Sequence, residues 1–383
     1  MLKAFKYRIL PNKNQKELID KHIGSTRFIY NLALETKTIA YAGNKINLTC
    51  FNLMNQLPDL KKECTWLKEI NSQSLQQAII NLDNAFTLFY KGKAKFPNYK
   101  KKTSNRQSYT IPQSIFINNS KLSIPKFREG INIIQHRPIQ GIIKRAIIRR
   151  LPTDKYFVSI ICETGIPNQA KQSVKEESTL GIDLGIRSFI STSNSIKVNN
   201  PKFLHSYGKK ISYLNRKYSK YKGKITKHKI ALLHEKITNC RNDFLHKLSS
   251  KLIRENQSIA IEDMNIKEML EVKYFNKSIS DTGWGEFVSQ LEYKGNWYGK
   301  NILKIGQFDP SSKTCSCCGS INKKLTSNDY TWICKKCNTI HDRDINAAIN
   351  IKNFALRNYV SGIETKTQNE LPTLVGVMTS EID

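Results

Sequence analysis

The chain has 383 residues, with 62 lysines and arginines against 31 aspartates and glutamates, a formal net charge of +31. An excess this large marks a partner of polyanions, nucleic acid first among them, and weighs against a protein that handles only neutral or basic ligands. No run of roughly 18 apolar residues is present to cross a membrane, and the start MLKAFKYRIL lacks the apolar stretch of a secretory signal, so a cytoplasmic protein with no membrane partner is expected.

Residues 3 to 10 alternate, with Phe5, Tyr7 and Ile9 on one face and Lys6 and Arg8 on the other, the pattern of a half-buried strand that Pro11 ends. Asn12 with Gln15 three residues on resembles a capping box, and the pattern from about 13 to 92 is mostly helical. Leu75, Ile79, Leu82, Phe86 and Phe89 form an apolar stripe for core packing, while Gln73, Gln77, Asn81 and Asn84 face solvent or a nucleic-acid groove. Lys91 to Arg106 is a basic connector containing Lys100, Lys101 and Lys102, with Phe96 and Tyr99 interleaved. Rings that stack on bases and cations that neutralise phosphates suit a nucleic-acid surface. Short β-type runs such as Ala146–Arg149 and Tyr156–Cys162 follow, so residues 1–12 and 93–168 read as a β-barrel interrupted by a helical insertion at 13–92. A polar linker at 166–178 leads to STLGIDLGIRSFISTS, read as strand, tight turn and strand. The stretch 209–229 then holds nine cations and no acid, with Tyr213, Tyr218 and Tyr221 among them, before a helix to about 254. Residues 359–383 show no apolar period and read as a disordered tail.

Two constellations carry chemistry. Nine cysteines with four in paired spacing suggest metal in a reducing compartment rather than disulfides. Cys315-x-x-Cys318, fifteen residues, then Cys334-x-x-Cys337 fits a closed four-thiolate zinc ribbon whose metal has a structural role. Cys317 blurs the register and His341 is a possible substitute; Cys318 is favoured because it repeats the geometry of the second pair. The second constellation is a recurring form, an apolar strand or helix start carrying an acid: LGIDLGI for Asp183, SIAIEDM for Glu262, DRDINAAINI for Asp344. Buried acids are costly without a cation. Hard oxygen ligands suit magnesium, and two ions about 3.5–4 Å apart activate water and stabilise a leaving phosphate oxygen. Asp183 is placed to bridge both ions, with Glu262 and Asp344 completing one side each. Asn346 is read as supporting that shell or a phosphate. Asp342 and Asp263 are decoys, Asp342 pairing with Arg343 or capping the helix.

At these residues the sequence resembles the TnpB family, the insertion-sequence-encoded, RNA-guided DNA endonucleases related to type V CRISPR effectors. The resemblance runs to about residue 355 through FKYRILPNKNQ, GSTRFIYNLALE, KFPNYKKK, GIDLGIRSF, RNDFLHKLS, IAIEDMN, SISDTGWGEFVSQLEYKGNWYGK, DPSSKTCSCCG and HDRDINAAINI. It implies an α+β multidomain chain: a wedge β-barrel with a helical recognition insertion, then an RNase H-like (RuvC) nuclease domain at 178–312 and 339–358 carrying a zinc ribbon at 313–338. It implies catalytic, magnesium-binding acids at Asp183, Glu262 and Asp344, and zinc at Cys315, Cys318, Cys334 and Cys337. It also implies a guide RNA from the transposon end and target double-stranded DNA as partners, in a bacterial or archaeal cell, with the protein a monomer in the RNA complex. Gln73 and Gln76 are where contact with a short flanking DNA motif is expected. Three departures stand out: Tyr330 where the family usually has Arg, Asn338 for a Gly, and a shortened basic stretch at 209–229. A guide-independent nuclease or resolvase of the same fold, and a non-cleaving nucleic-acid-binding accessory protein, are the rival readings.

Overall fold

The computed structural model describes residues 1–265, 269, 271, 276–306, 309–326 and 328–362. The chain divides into two compact units, Met1–Ile166 and Pro167–Asp383.

The first unit opens with β1 (Leu2–Leu10), whose buried Phe5, Tyr7 and Ile9 alternate with exposed residues. Helix α1 (Lys13–Asn44) starts on a complete capping box, with Asn12 Oδ1 accepting from the Gln15 amide and Gln15 Oε1 accepting from that of Asn12. Helices α2 (Cys50–Asn55), α3 (Leu57–Glu63) and α4 (Ser72–Tyr90) follow. Leu75, Ile79, Leu82 and Phe86 of α4 pack with Ile29, Tyr30, Ala33 and Leu34 of α1 in one core. Gln77 does not face solvent or a groove: it is buried, and its side-chain amide donates to Asn81 Oδ1 at 3.1 Å.

The rest of the unit is a seven-stranded antiparallel sheet formed by β1 with β2 (Gln107–Ile111), β3 (Phe116–Asn118), β4 (Lys121–Ile124), β5 (Phe127–Ile134), β6 (Ile142–Arg150) and β7 (Tyr156–Glu163). Its order is β2-β6-β7-β1-β5-β4-β3, so the hydrogen-bonded ladder ends at β2 and β3 rather than closing. Tyr109 and Ile111 of one edge nevertheless share a core with Leu122 and Ile124 near the other. The sheet therefore curls around one interior.

His22 of α1 sits in that interior as a neutral ring. Its Nδ1 lies 2.8 Å from the Leu18 carbonyl oxygen and its Nε2 accepts from the Asn71 amide at 3.2 Å, which sets the tautomer. Burial pushes its pKa down to about 4. Below pH 6.5 the unfolded chain takes up a proton that the folded chain refuses, so stability is lost as pH falls from about 6.5 towards 4. The expected loss is on the order of 3 kcal/mol. Melting temperatures of wild type and His22→Gln across this range provide the check: the wild-type curve should fall more steeply, and parallel curves would refute the burial account.

In the second unit a five-stranded sheet has the order β10-β9-β8-β11-β12, formed by β8 (Thr179–Leu184), β9 (Ser188–Thr192), β10 (Lys197–Asn199), β11 (Ser258–Glu262) and β12 (Asn301–Ile305). The β8–β11 and β11–β12 pairs are parallel. Between β10 and β11 lie α5 (Phe203–Ser206), α6 (Gly208–Tyr221) and α7 (Lys224–Glu255). The cationic stretch 209–229 covers α6 and the start of α7, whose apolar sides meet through Ile211, Leu214, Leu233 and Ile237 while Tyr213 and Tyr221 stay exposed. Helices α8 (Asn276–Thr282) and α9 (Trp284–Trp297) precede β12, and a hairpin of β13 (Thr331–Ile333) and β14 (Ile340–Asp342) runs directly into α10 (Arg343–Val360). Residues 359 and 360, expected in the tail, continue this helix; 363–383 lie outside the described residues. No helix among the described residues is long and apolar enough to cross a membrane.

The sheet has two covered faces, and strand alternation decides what lies on each. Ile259 and Ile261 join Leu180 and Ile182 in a core with Leu245, Leu252, Trp284, Phe287 and Leu291 of α7 and α9. Ala260, one residue out of phase, packs instead with Ile351 and Ala355 of α10.

Candidate active site and the cysteine cluster

That alternation positions the acids. Leu180 and Ile182 face the α7–α9 core, so Gly181 and Asp183 face α10; Ile259 and Ile261 do likewise, so Ala260 and Glu262 face α10. The parallel register pairs Ile182 with Ile261. One residue further along, Asp183 and Glu262 stand side by side on strands about 4.8 Å apart. Gly181 lets the helix approach: a Cβ there would collide with the Ala348 carbonyl oxygen. The start of α10 thus delivers Asp344 to the same place. Asp183, Glu262 and Asp344 all line one cleft of about 370 Å³, with Arg187, Lys313, Tyr330 and Arg343 on its walls.

The charges there are unequally compensated. Asp344 Oδ1 lies 3.3 Å from Arg343 Nη2, and its Oδ2 lies 3.8 Å from Lys197 Nζ. Asp183 is pushed well above the usual carboxylate range, first by burial and then by Asp344 and Glu262, against the pull of Arg343 and Lys197. Burial, with help from Asp309, raises Glu262 to about 7. A cation bound beside such carboxyls would favour their ionised form, and three hard oxygen donors suit a divalent metal. Asp309 and Lys197 were not singled out from the sequence. Asp309 lies four residues beyond the end of β12 rather than directly after it, and its Oδ2 accepts from the Gly306 amide at 2.9 Å.

The two decoys have ordinary work. Asp342 caps α10, its Oδ1 accepting from the amides of Asp344 and Ile345 at 3.1 Å, and it pairs with Lys197 at 2.7 Å rather than with Arg343. Despite partial burial it is held below the carboxylate range by Lys197 and those amides. Asp263 pairs with Lys304 at 3.3 Å.

The sulfurs of Cys315, Cys318, Cys334 and Cys337 all lie within 4.8 Å of one another. The Cys315–Cys337 and Cys318–Cys334 pairs are 3.6 Å apart. A tetrahedral thiolate site with metal–sulfur bonds of about 2.3 Å has edges of about 3.8 Å, so the donor set fits a soft metal of that geometry. Cys317 is exposed. His341 is buried against Trp332, with Nε2 3.0 Å from Cys315 Sγ, a hydrogen-bonding position beside the sulfur. Asn338 follows Cys337 with φ of 56°, a left-handed backbone that Asn tolerates.

Asn346 has a different role from the expected one. It is buried, and it clamps the chain leading into the first cysteine pair: Nδ2 donates to the Thr314 carbonyl at 2.8 Å, and Oδ1 accepts from the Ser316 amide at 2.9 Å. One turn on, Asn350 Nδ2 donates to the Ser311 and Thr314 carbonyls at 2.7 and 2.6 Å. The helix that presents Asp344 is therefore fastened to the cysteine module by side-chain amides as well as by β14.

The other expected contacts lie in the first unit. Gln76 is exposed and Gln73 half-buried near the start of α4. Lys100 and Lys101 line a cleft of about 390 Å³ with Arg27, Tyr99 and Arg106; Lys102 is outside that lining. Lys100 Nζ lies 3.9 Å from the Tyr30 ring centre, and Asn31 fixes the Lys100 backbone through both its amide and its carbonyl. Gln107 holds the following loop by donating to the Lys102 and Ser104 carbonyls.

Three family models match along the chain: a helix-turn-helix domain of the IS605 OrfB family at 1–45, the IS605 OrfB family described as "Probable transposase" at 159–273, and the Cas12f1-like TNB domain at 284–351. A Streptomyces pristinaespiralis protein named "Putative RNA-guided DNA endonuclease" is 35% identical over 96% of this chain and 93% of its own length. An Escherichia coli K12 protein, "Putative RNA-guided DNA endonuclease InsQ", is 28% identical over 91% of each chain. The fold resembles that of the protein in a cryo-EM structure of a Cas12f1–sgRNA–target DNA complex, with TM-score 0.53 at 16% identity over 90% of this chain and 84% of the other. With that identity over nearly its whole length, and the IS605 OrfB and Cas12f1-like models matched in order along it, the chain belongs to the TnpB family of insertion-sequence proteins.

Proposed function

We propose that the protein is an RNA-guided DNA endonuclease of an insertion sequence, and that it cuts by metal-dependent hydrolysis at a RuvC-type site formed by Asp183, Glu262 and Asp344. The observation that carries the reading is the convergence of three carboxylates, from segments far apart in the chain, on one face of one sheet in one cleft. Bound there, magnesium supplies Lewis-acid activation of water and charge stabilisation at the leaving oxygen. The chain's own part is to hold three oxygen ligands at fixed positions: Asp183 and Glu262 by strand register, Asp344 by its place in the first turn of α10. Zinc would be held by Cys315, Cys318, Cys334 and Cys337 and would serve a structural role, since four thiolates would fill a tetrahedral site and leave no position for substrate.

The remaining roles follow from the division of labour in such nucleases. Guide RNA pairs with the target strand, and protein cations hold the nucleic acid by its backbone. The flanking motif is read in the helical part of the first unit, with Gln73 and Gln76 as the contacts; Lys100 and Lys101 bind backbone in the basic cleft, Lys102 beside it. The nuclease acts as a monomer in its RNA complex.

Two measurements test this. The purified protein should carry a defined RNA, and RNase should stop cutting; cutting that survives RNase points to the guide-independent nuclease. Affinity for duplex DNA should fall steeply with salt, the log–log slope gaining about 0.9 for each phosphate neutralised. A flat salt profile would contradict backbone binding.

A further inference from the structure

Tyr330 and Arg187 form a unit on the wall of the acidic cleft. The Arg187 guanidinium lies 4.5 Å from the Tyr330 ring centre, and that of Arg343 lies 5.9 Å from it. Both Tyr330 and Arg187 line the cleft, and both are exposed. Tyr330 is fixed from below, its carbonyl accepting from the Arg343 amide at 2.8 Å. The two arginines differ in what their N–H groups do. Arg343 donates to the Thr326 carbonyl and to Asp344. Arg187 has no carboxylate partner among the described residues. A stacked guanidinium engages the ring with its flat face and keeps its N–H edge free, and that edge matches two oxygens of a phosphate.

We propose that Arg187, held in place by stacking on Tyr330, binds a backbone phosphate of the DNA strand entering the acidic cleft, and that Tyr330 is its positioning residue. The placement serves the chemistry. A cation anchored on the cleft wall adds attraction for the strand at a phosphate near the one to be cut. The ring also limits the conformers of a long, exposed side chain, so less freedom is lost when the phosphate binds. This rests on the nuclease reading of the cleft.

The test compares Arg187→Gln, Tyr330→Leu, Tyr330→Phe and the Arg187→Gln/Tyr330→Leu double variant, each as the full chain with its RNA. For wild-type protein that cuts, Arg187→Gln and Tyr330→Leu should each raise KM for DNA by about tenfold or more with a smaller change in kcat, as for loss of one charge-assisted contact. The double variant should be no worse than either single one. Tyr330→Phe keeps the ring and should recover most of what Tyr330→Leu loses. Wild-type kinetics in Arg187→Gln, additive losses in the double variant, or Tyr330→Phe as impaired as Tyr330→Leu would each overturn the proposal. Binding of a short single-stranded oligonucleotide without cutting separates this from failure of the nuclease reading: Arg187→Gln should lower the log–log salt slope by about 0.7, whether or not the wild type cuts. An unchanged slope overturns the proposal.

Discussion

Asp183→Ala should abolish DNA cleavage while leaving the magnesium-free protein as stable as the wild type, or more so. The loss of activity follows from the place beside Glu262 that the register gives this carboxylate, in one cleft with Asp344. Metal-ion catalysis supplies several kcal/mol of charge stabilisation, and each ~1.4 kcal/mol is tenfold in rate, so a fall of about three orders of magnitude or more is expected. The stability result follows from the raised pKa of Asp183. Folding obliges this group to keep its proton or to sit as a half-buried anion near Glu262 and Asp344. Below the ordinary carboxylate pKa, near 4, both folded and unfolded chains are protonated and nothing is lost. As pH rises towards the folded pKa the unfolded chain ionises first, and the wild type loses stability that Asp183→Ala retains. Like charges at about 4 Å repel by ~4 kcal/mol at an effective dielectric of 20, which sets the upper scale of the gain. Melting curves in magnesium-free buffer at pH 5 and pH 8 measure it. A large drop in melting temperature at both would make Asp183 a structural cap and remove it from the proposed metal site.

Cys334→Ser should release zinc, unfold the module around β13 and β14, and also suppress cutting. Zinc bound to four thiolates contributes roughly 10–16 kcal/mol in segments too small to fold alone. The module's own apolar core is little more than Leu325, Trp332 and the cysteines themselves. The suppression of cutting is the structural part of the expectation. Asn346 and Asn350 tie the first face of α10 to the backbone between Ser311 and Ser316, and β14 ends at Asp342, the cap of that helix. Releasing the module frees the helix start that holds Asp344. Metal analysis should read about one zinc in wild type and less in the variant. Hydrogen exchange should rise across 313–342 and into the first turn of α10. Zinc content equal to wild type would refute the ligand assignment; full cutting with the module unfolded would refute the coupling.

Local pattern reaches as far as one element's face. The alternation in β1 marks Phe5, Tyr7 and Ile9 as inward from sequence alone, and cysteine spacing selects the four sulfurs that lie together, because both depend on a few consecutive residues. Gln77 and Asn346 depart from expectation because a polar residue's role depends on its partner: Gln77 beside its apolar stripe suggests solvent or a groove until Asn81 is known, and Asn346 near Asp344 suggests support of the acids until the chain at 314–316 is known.

The amino-acid sequence by itself determined the chain's strongly basic charge, its strand and helix faces, its paired cysteines and three acids that end or follow apolar runs. Only the tertiary structure decided which of those faces meet: that β8 and β11 pair in parallel so that Asp183 and Glu262 adjoin, that Gly181 admits α10, that Asp309 and Lys197 enter the same neighbourhood, and that Tyr330 gathers two arginines. The reason is physical. Side-chain direction is set by backbone period, which neighbouring residues encode, whereas register and helix approach are set by packing between segments tens of residues apart.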